Sequence, residues 1–305
     1  MIKYIAKRLL TLVPVWLGII LVTFLLMHAV PGGPFDTGAI RDKQSSDVLI
    51  HYFHLDQPIW RQYISYVTNL LHGNLGDSMV QRGLSVRSVI TSRFPTSAVL
   101  GVSALFVAIA VGLPAGVLAA SRPNGWLDRV LMTCASLGYA IPNFVLSILL
   151  ILTFGVGLGW FPLGGWGNFS ELVMPATAMG LPWAALIARI TRATMLEVLR
   201  QNYIRAATAK GASQLRVLII HGLRNAMIPL TTVVALLAAD LIIGSLVVEQ
   251  VFSVPGLGHY MVESIQASDY TMVLGLTTFY ATLVFIANLV ADISYAWLDP
   301  RIRYA

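Results

Sequence analysis

Two acids, Asp240 and Asp292, lie inside stretches that otherwise carry no charge for about twenty residues. An ionised carboxylate at the centre of a bilayer costs roughly 2.5–3.5 kcal/mol on insertion scales, so such a group should face water, a bundle interior or another subunit. The chemistry open to this pair is a proton relay, with Asp240 near the middle of its stretch as the pathway candidate and Asp292 close to the end of its own. A second cluster, His51, His54, Asp56 and His72, has metal-ligand side chains but not the fixed spacing of a ligand motif, so no metal site is assigned. The glycines at 155, 157 and 159 sit at the end of an apolar stretch, and the chain has no G-x-x-x-x-G-K-[ST], so it carries no nucleotide site of its own and no catalytic residue is assigned.

The most informative residues do mechanical work. Between Glu197 and Leu230 the chain reads EVLRQNYIRAATAKGASQLRVLIIHGLRNAMIPL. Arg205, Ala206 and Ala207 are followed by Gly211, then by His221, Gly222 and Leu223, with Pro229 opening the next apolar stretch. Gly211 should break a helix whose alanines let it lie close against another protein surface. The alternative is a solvated basic loop attracted to anionic lipid heads, which accounts for the charge and leaves the Ala-Ala and glycine spacing unexplained.

These residues must be carried by a membrane protein. The 305 residues are 57% hydrophobic and only 11% charged, where a soluble domain spends about a quarter of its residues on charge. Mean hydropathy is +0.75. The lone cysteine, Cys134, excludes a disulfide framework. A bilayer core of about 30 Å takes roughly 20 apolar residues of helix. Six stretches qualify: 9–30, about 98–120, 130–155, from 172 into Arg189, 226–248 and 271–297. The first is too long for the apolar part of a signal peptide and is read as a retained helix.

Orientation follows from the basic residues. Fourteen Lys and Arg fall in the N-terminal tail, the second-to-third and fourth-to-fifth connections and the C-terminal tail, and none in 156–171 or 249–270. Both termini are therefore expected in the cytoplasm. The net charge of +6 marks the cytoplasmic face rather than a nucleic-acid surface. Residues 31–95 form an extracytoplasmic segment, read either as a cap on the bundle or as a docking surface for a soluble partner. Along the second span Ala104, Ala108, Gly112, Gly116 and Ala120 recur at every fourth position, a face of small side chains that lets a neighbouring backbone approach. Prolines at 14, 114, 142, 175, 182 and 229 predict a kinked bundle around a wet pathway.

The basic connection resembles the EAA loop of permeases of binding-protein-dependent ABC importers, in the variant of the dipeptide/oligopeptide subfamily where Arg replaces the leading Glu. EQVFSVPGLGHYMVESI at 249–265 with Ser268-Asp269-Tyr270, YAWLDPRIRY at 295–304, the opening KRLLTLVPVWLGIILVTFLLMHAVPGGP at 7–34, HLDQP at 54–58 and GNLGDS at 73–78 extend the resemblance over essentially the whole chain. Asp240 departs from it, standing where a small or apolar residue is expected.

The resemblance implies an all-α, six-span permease of the type I ABC importer fold in the bacterial cytoplasmic membrane. In its terms residues 1–30 are the N-terminus and first helix, 31–95 the external segment, 96–298 the core with a coupling segment at 197–224, and 299–305 a cytoplasmic tail. It implies a second, homologous permease, two cytoplasmic ATPase subunits that bind ATP and Mg, and an extracytoplasmic substrate-binding protein. Arg205, Ala206, Ala207, Gly211, His221 and Leu223 would couple to the ATPases, and Pro255, Gly256, Leu257 and Gly258 would form the mouth that meets the binding protein. The substrate implied is a di- or oligopeptide, with nickel chelates, glutathione or opines as alternatives. A proton-coupled secondary transporter is the competing class, but it would show paired broken helices related by an internal repeat, which the sequence lacks. A membrane scaffold or receptor would leave the kinked spans without a purpose.

Overall fold

The computed structural model describes the backbone of residues 2–29, 35 and 43–298, and among these it is helical with no named strand. Thirteen α-helices are described: α1 (Ile2–Ala29), α2 (Lys43–Tyr52), α3 (Ile59–Leu71), α4 (Val86–Ser121), α5 (Trp126–Ala140), α6 (Asn143–Leu150), α7 (Phe169–Leu199), α8 (Asn202–Ala209), α9 (Gln214–Arg216), α10 (Arg224–Ile243), α11 (Leu246–Val251), α12 (Leu257–Gln266) and α13 (Tyr270–Leu298). Two π-helical segments join them, Ile151–Gly157 after α6 and Val217–Leu223 before α10. Among the described residues four stretches are long and apolar enough to cross a membrane: Leu10–Ala29, Val86–Ser121, Phe169–Leu199 and Tyr270–Leu289. Two bent pairs bring the number to six if each pair is one span.

Four expected spans differ in the structure, each for a local reason. The helix expected from 98 begins at Val86, so the last residues assigned to the external segment are its first three turns. The stretch 130–155 is not one helix but two, bent by 106°. Pro142 pushes the residue before it out of the α region, and Ile141 accordingly sits at φ −80°, ψ 122°. The fourth helix opens on a reciprocal cap, with the Asn168 amide donating to Glu171 Oε2 at 3.0 Å, and runs past Arg189 to Leu199 despite Pro175 and Pro182. The fifth stops at Gly244, whose φ of +91° only glycine adopts without strain. Ser245 then caps α11, accepting from the Val248 amide at 3.3 Å.

The chain divides into two compact units, Met1–Thr96 with Pro255–Leu289 and Ser97–Val254 with Val290–Ala305. In the first, Val86, Val89, Ile90, Leu257, Met272 and Leu276 make a buried core. Polar contacts tie its helices together: Trp16 Nε1 donates to Thr282 Oγ1 at 3.0 Å, and the Tyr66 and Thr278 hydroxyls lie 2.9 Å apart. Burial pushes the Tyr66 hydroxyl up to about 12, so it stays protonated.

In the second unit α4 lies directly on α7. Ala104, Ala108, Gly112, Gly116 and Ala120 are all buried, as the spacing requires. A Cβ on Gly116 would meet Thr191 Cβ at 2.5 Å, one on Gly112 would collide with the Ala184 carbonyl, and one on Gly180 of α7 would stand 2.5 Å from the Ala104 carbonyl. The seam is thus cut from both helices. Leu100, Met174, Met179, Leu241, Val248 and Phe252 fill the core at one end, and Val117, Ala120, Met195 and Ala226 at the other. Gly112→Val should therefore destabilise the fold by about 1–3 kcal/mol, the usual cost of overpacking. A lowered thermal midpoint of the detergent-solubilised protein would show this, and Val102→Ala on the exposed face of the same helix is the control.

Candidate functional site

The basic connection folds into a short projecting element. Gln201 precedes α8, and Ile204, 5% exposed, anchors the helix while Arg205 and Ala206 point outward and Ala207 is half-buried. Gly211 ends α8 at φ +84°. Its amide donates to the Thr208 carbonyl at 2.9 Å, and the Ala212 amide to the Ala207 carbonyl at 3.2 Å. This is the Schellman arrangement, which demands a left-handed residue where Gly211 stands. No atom lies within 4 Å of the position of a Gly211 Cβ, so backbone conformation, not space, selects glycine.

Ser213 caps the next turn, and the chain re-enters the bundle through the π-helical segment that contains His221, Gly222 and Leu223. The π turn lets Gly222 pack 3.1 Å, measured from an ideal Cβ, from Met195 Cε of α7. Leu223 joins the same cluster, and His221 is half-buried. Tyr203 locks α8 to this segment: its hydroxyl accepts from Asn225 Nδ2 at 2.8 Å, and Asn225 also donates to the His221 carbonyl at 2.9 Å. The result is an open cleft of about 580 Å³ lined by Tyr203, Ala206, Ala207, Lys210, Arg216 and His221. Leu215, Ile219 and Ile220 stand exposed beside it, Leu215 at 71%. Sequence reading attended to charge and glycine here and missed this apolar face, because a leucine in a basic run gives no sign of which way it points.

On the other unit two separated motifs become one. Asp269, 4% exposed, accepts from the Ser78 hydroxyl, from the Met79 amide at 3.2 Å and from the Met272 amide at 3.1 Å. It thereby caps α13 and staples the GNLGDS loop to it. Ser78 Oγ in turn accepts from the Gln81 amide at 2.7 Å, and Tyr260 of α12 donates to Gln81 Oε1 at 2.9 Å. A cleft of about 410 Å³ is lined by Gln81, Tyr260, Glu263, Ser264, Gln266 and Asp269. Of the four residues expected at the mouth, Gly256, Leu257 and Gly258 are buried and Pro255 is half-buried. Leu257 is a core residue, so the turn positions α12, and the exposed chemistry belongs to its neighbours.

Asp240 is exposed on α10, a helix that buries Leu230, Leu237 and Leu241. It is not among the residues that line the cleft beside α8. The side chain of Asp292, with Arg301 and Arg303, lies outside the described residues. Two acids that sequence reading passed over are buried instead. Glu249 is fully buried at the start of α11, where an external connection was expected. Asp128, 3% exposed in the first turn of α5, accepts from Arg192 Nε at 2.6 Å, Arg192 Nη2 at 2.7 Å and the Asn124 amide at 2.8 Å. Sixty-four residues separate the ion-pair partners, a distance no local pattern bridges.

The comparisons agree with this architecture. The family model described as binding-protein-dependent transport system inner membrane component matches residues 112–304, and the model of the corresponding N-terminal region matches residues 1–101. The dipeptide transport system permease protein DppB of Bacillus subtilis (strain 168) is 41% identical over 303 residues, 99% of this chain and 98% of the relative. The oligopeptide transport system permease protein OppB of Haemophilus influenzae is 39% identical over 306 residues, covering all of both. The glutathione transport system permease protein GsiC of Escherichia coli (strain K12) is also 39% identical over 306 residues, again with full coverage of both chains. Among solved structures, an inward-facing conformation of the MetNI methionine ABC transporter matches with a TM-score of 0.56 at 21% identity, over 69% of this chain and 96% of that one. That likeness carries the fold, the type I importer permease fold. The chain belongs to the family of inner membrane components of binding-protein-dependent transport systems: it is an integral membrane permease of an ABC importer, not the ATP-hydrolysing part.

Replacing Asp269 by Ala removes the acceptor of three donors, two of them backbone amides. Each buried donor left unmet costs about 1–3 kcal/mol. The loop 73–85 should become the preferred site of limited proteolysis, and a cleavage pattern unchanged from wild type would show that the staple does not hold it.

Proposed function

We propose that this chain translocates di- or oligopeptides, as one of two homologous permeases that enclose a pathway, receive substrate from an extracytoplasmic binding protein and take energy from two cytoplasmic ATPase subunits that bind ATP and Mg. The observation that carries the coupling assignment is the projecting element itself: a capped two-turn helix with outward Arg205 and Ala206, tied by Tyr203 to the π-helical re-entry, beside a cleft and an exposed apolar face. Small side chains on α8 allow close approach to a groove, and Leu215, Ile219 and Ile220 supply apolar area to bury against it.

The fourteen basic residues support a cytoplasmic location for both termini and for this element. The stapled loop 73–85, α12 and the turn Pro255–Gly256–Leu257–Gly258 are assigned to the external surface. It offers hydroxyl, amide and carboxylate groups suited to a hydrophilic partner. The peptide assignment rests on the relatives' substrates. Glutathione, itself a small peptide, is the second reading, favoured by the equal identity to the glutathione permease. Asp240, exposed on a membrane helix, is assigned to the face turned to the pathway or to the second permease.

Energetically the cycle is a population shift. ATP moves the complex between inward- and outward-open arrangements only to the extent that it binds one more tightly, and α8 is the contact through which that difference reaches the membrane. In reconstituted vesicles holding the complete importer, Arg205→Glu with Gly211→Val should leave membrane insertion intact and lower ATP-driven dipeptide uptake about tenfold, the factor given by about 1.4 kcal/mol of lost coupling. Wild-type uptake by that variant would overturn the coupling assignment.

A further inference from the structure

Beyond the projecting helix, the ion pair between α5 and α7 calls for a reason. With Asp128 buried and the Arg192 side chain 26% exposed, the pair adds little stability compared with well-packed apolar side chains of the same volume, and the best-attested use of such pairs is to fix register. Here the geometry is two-point. Arg192 Nε and Nη2 meet the two oxygens of Asp128 at 2.6 and 2.7 Å, so the planar groups set both the position and the rotation of the first turn of α5 on α7. Asp128 also accepts from the Asn124 amide, and Arg129 donates to the Asn124 carbonyl at 3.2 Å, which adds the α4–α5 turn to the same clamp. At this level α4 is pressed on α7 through Gly116 and the fully buried Thr191.

Arg192 stands on the last two turns of α7, and only residues 200 and 201 separate that helix from α8. The linker is held by hydrogen bonds, with the Arg200 amide donating to the Glu197 carbonyl at 3.3 Å and the Gln201 amide to the Val198 carbonyl at 3.1 Å. At its other end α5 meets the 106° bend at Pro142. We infer that Asp128 and Arg192 are a positioning pair, through which displacement of α8 by the ATPase is delivered to α5 and to the bend that follows it. This rests on the coupling role proposed for α8. The task of the pair is to make α5 and the end of α7 move as one body, because a forked ion pair fixes the rotation of one packed helix on the other, whereas apolar packing alone lets it slip.

The test uses the complete importer in proteoliposomes with purified binding protein and a labelled dipeptide, reading uptake and ATP hydrolysis per assembled complex. The double variant Asp128→Leu/Arg192→Met keeps the site filled and removes the fork. It is expected to assemble and to hydrolyse ATP within about twofold of wild type while peptide moved per ATP falls about tenfold. Arg192→Lys, which keeps the charge without the fork, is expected to lose about threefold on the same ratio. Wild-type uptake per ATP in the double variant overturns the inference, since a merely structural pair is replaceable by apolar packing. If the double variant does not assemble, the ratio in Arg192→Lys decides in the same way. An Arg205/Gly211 variant that uncouples beside a double variant that does not leaves the coupling role of α8 standing and this inference refuted; an Arg205/Gly211 variant that stays coupled refutes the role of α8 itself.

Discussion

Lipid offers no hydrophobic reward for bringing two apolar helices together, so close packing must supply the association. The seam between α4 and α7 meets that constraint by removing side chains. Gly112, Gly116 and Gly180 sit where a single methyl would strike the facing helix, and Ala104, Ala108 and Ala120 fill the intervening positions without separating the backbones. The long, continuous α7 runs from its reciprocal cap at Asn168 through two buried prolines to Leu199. It is the element against which α4, α5, α6 and α10 are set in this unit.

Rigid packing concentrates departures from helical regularity in a few places. Pro142 turns the chain by 106°, Gly244 separates α10 from α11, Gly211 closes α8, and the π-helical segment at Val217–Leu223 returns the chain to the bundle. Each break has a residue-level cause: a proline that forbids an α conformation before it, a glycine at positive φ, or a widened turn that makes room for a neighbouring helix. The breaks around α8 shape a projecting element, and its uncovered apolar residues belong to the same short stretch. Function in this reading comes from where the helices stop, while the seam keeps the rest from yielding.

Two buried carboxylates join distant parts of the chain. Asp269 unites two motifs that lie 190 residues apart, and Asp128 with Arg192 joins the first turn of α5 to the end of α7. Arg192 illustrates how one residue supports two readings. As one of the fourteen basic residues it helps indicate orientation, and its guanidinium is also committed to a carboxylate on another helix.

The sequence by itself determined the membrane class, the small-residue face of α4, the helix stop at Gly211 and the basic character of the connection that contains α8. All of these are set by composition or by spacing within one helix, where neighbours in sequence are neighbours in space. Tertiary structure decided that Leu257 is a core residue, that Glu249 is buried, that Leu215, Ile219 and Ile220 face outward, and that Ser78 and Asp128 find partners far along the chain. It also decided that the apolar run 130–155 bends at Pro142, since a proline in an apolar stretch is compatible with a kinked helix or a broken one. The physical reason is common to them all. Hydropathy and periodicity report what a residue prefers and which face of its own helix it occupies, but burial and pairing depend on which other helix arrives at that face.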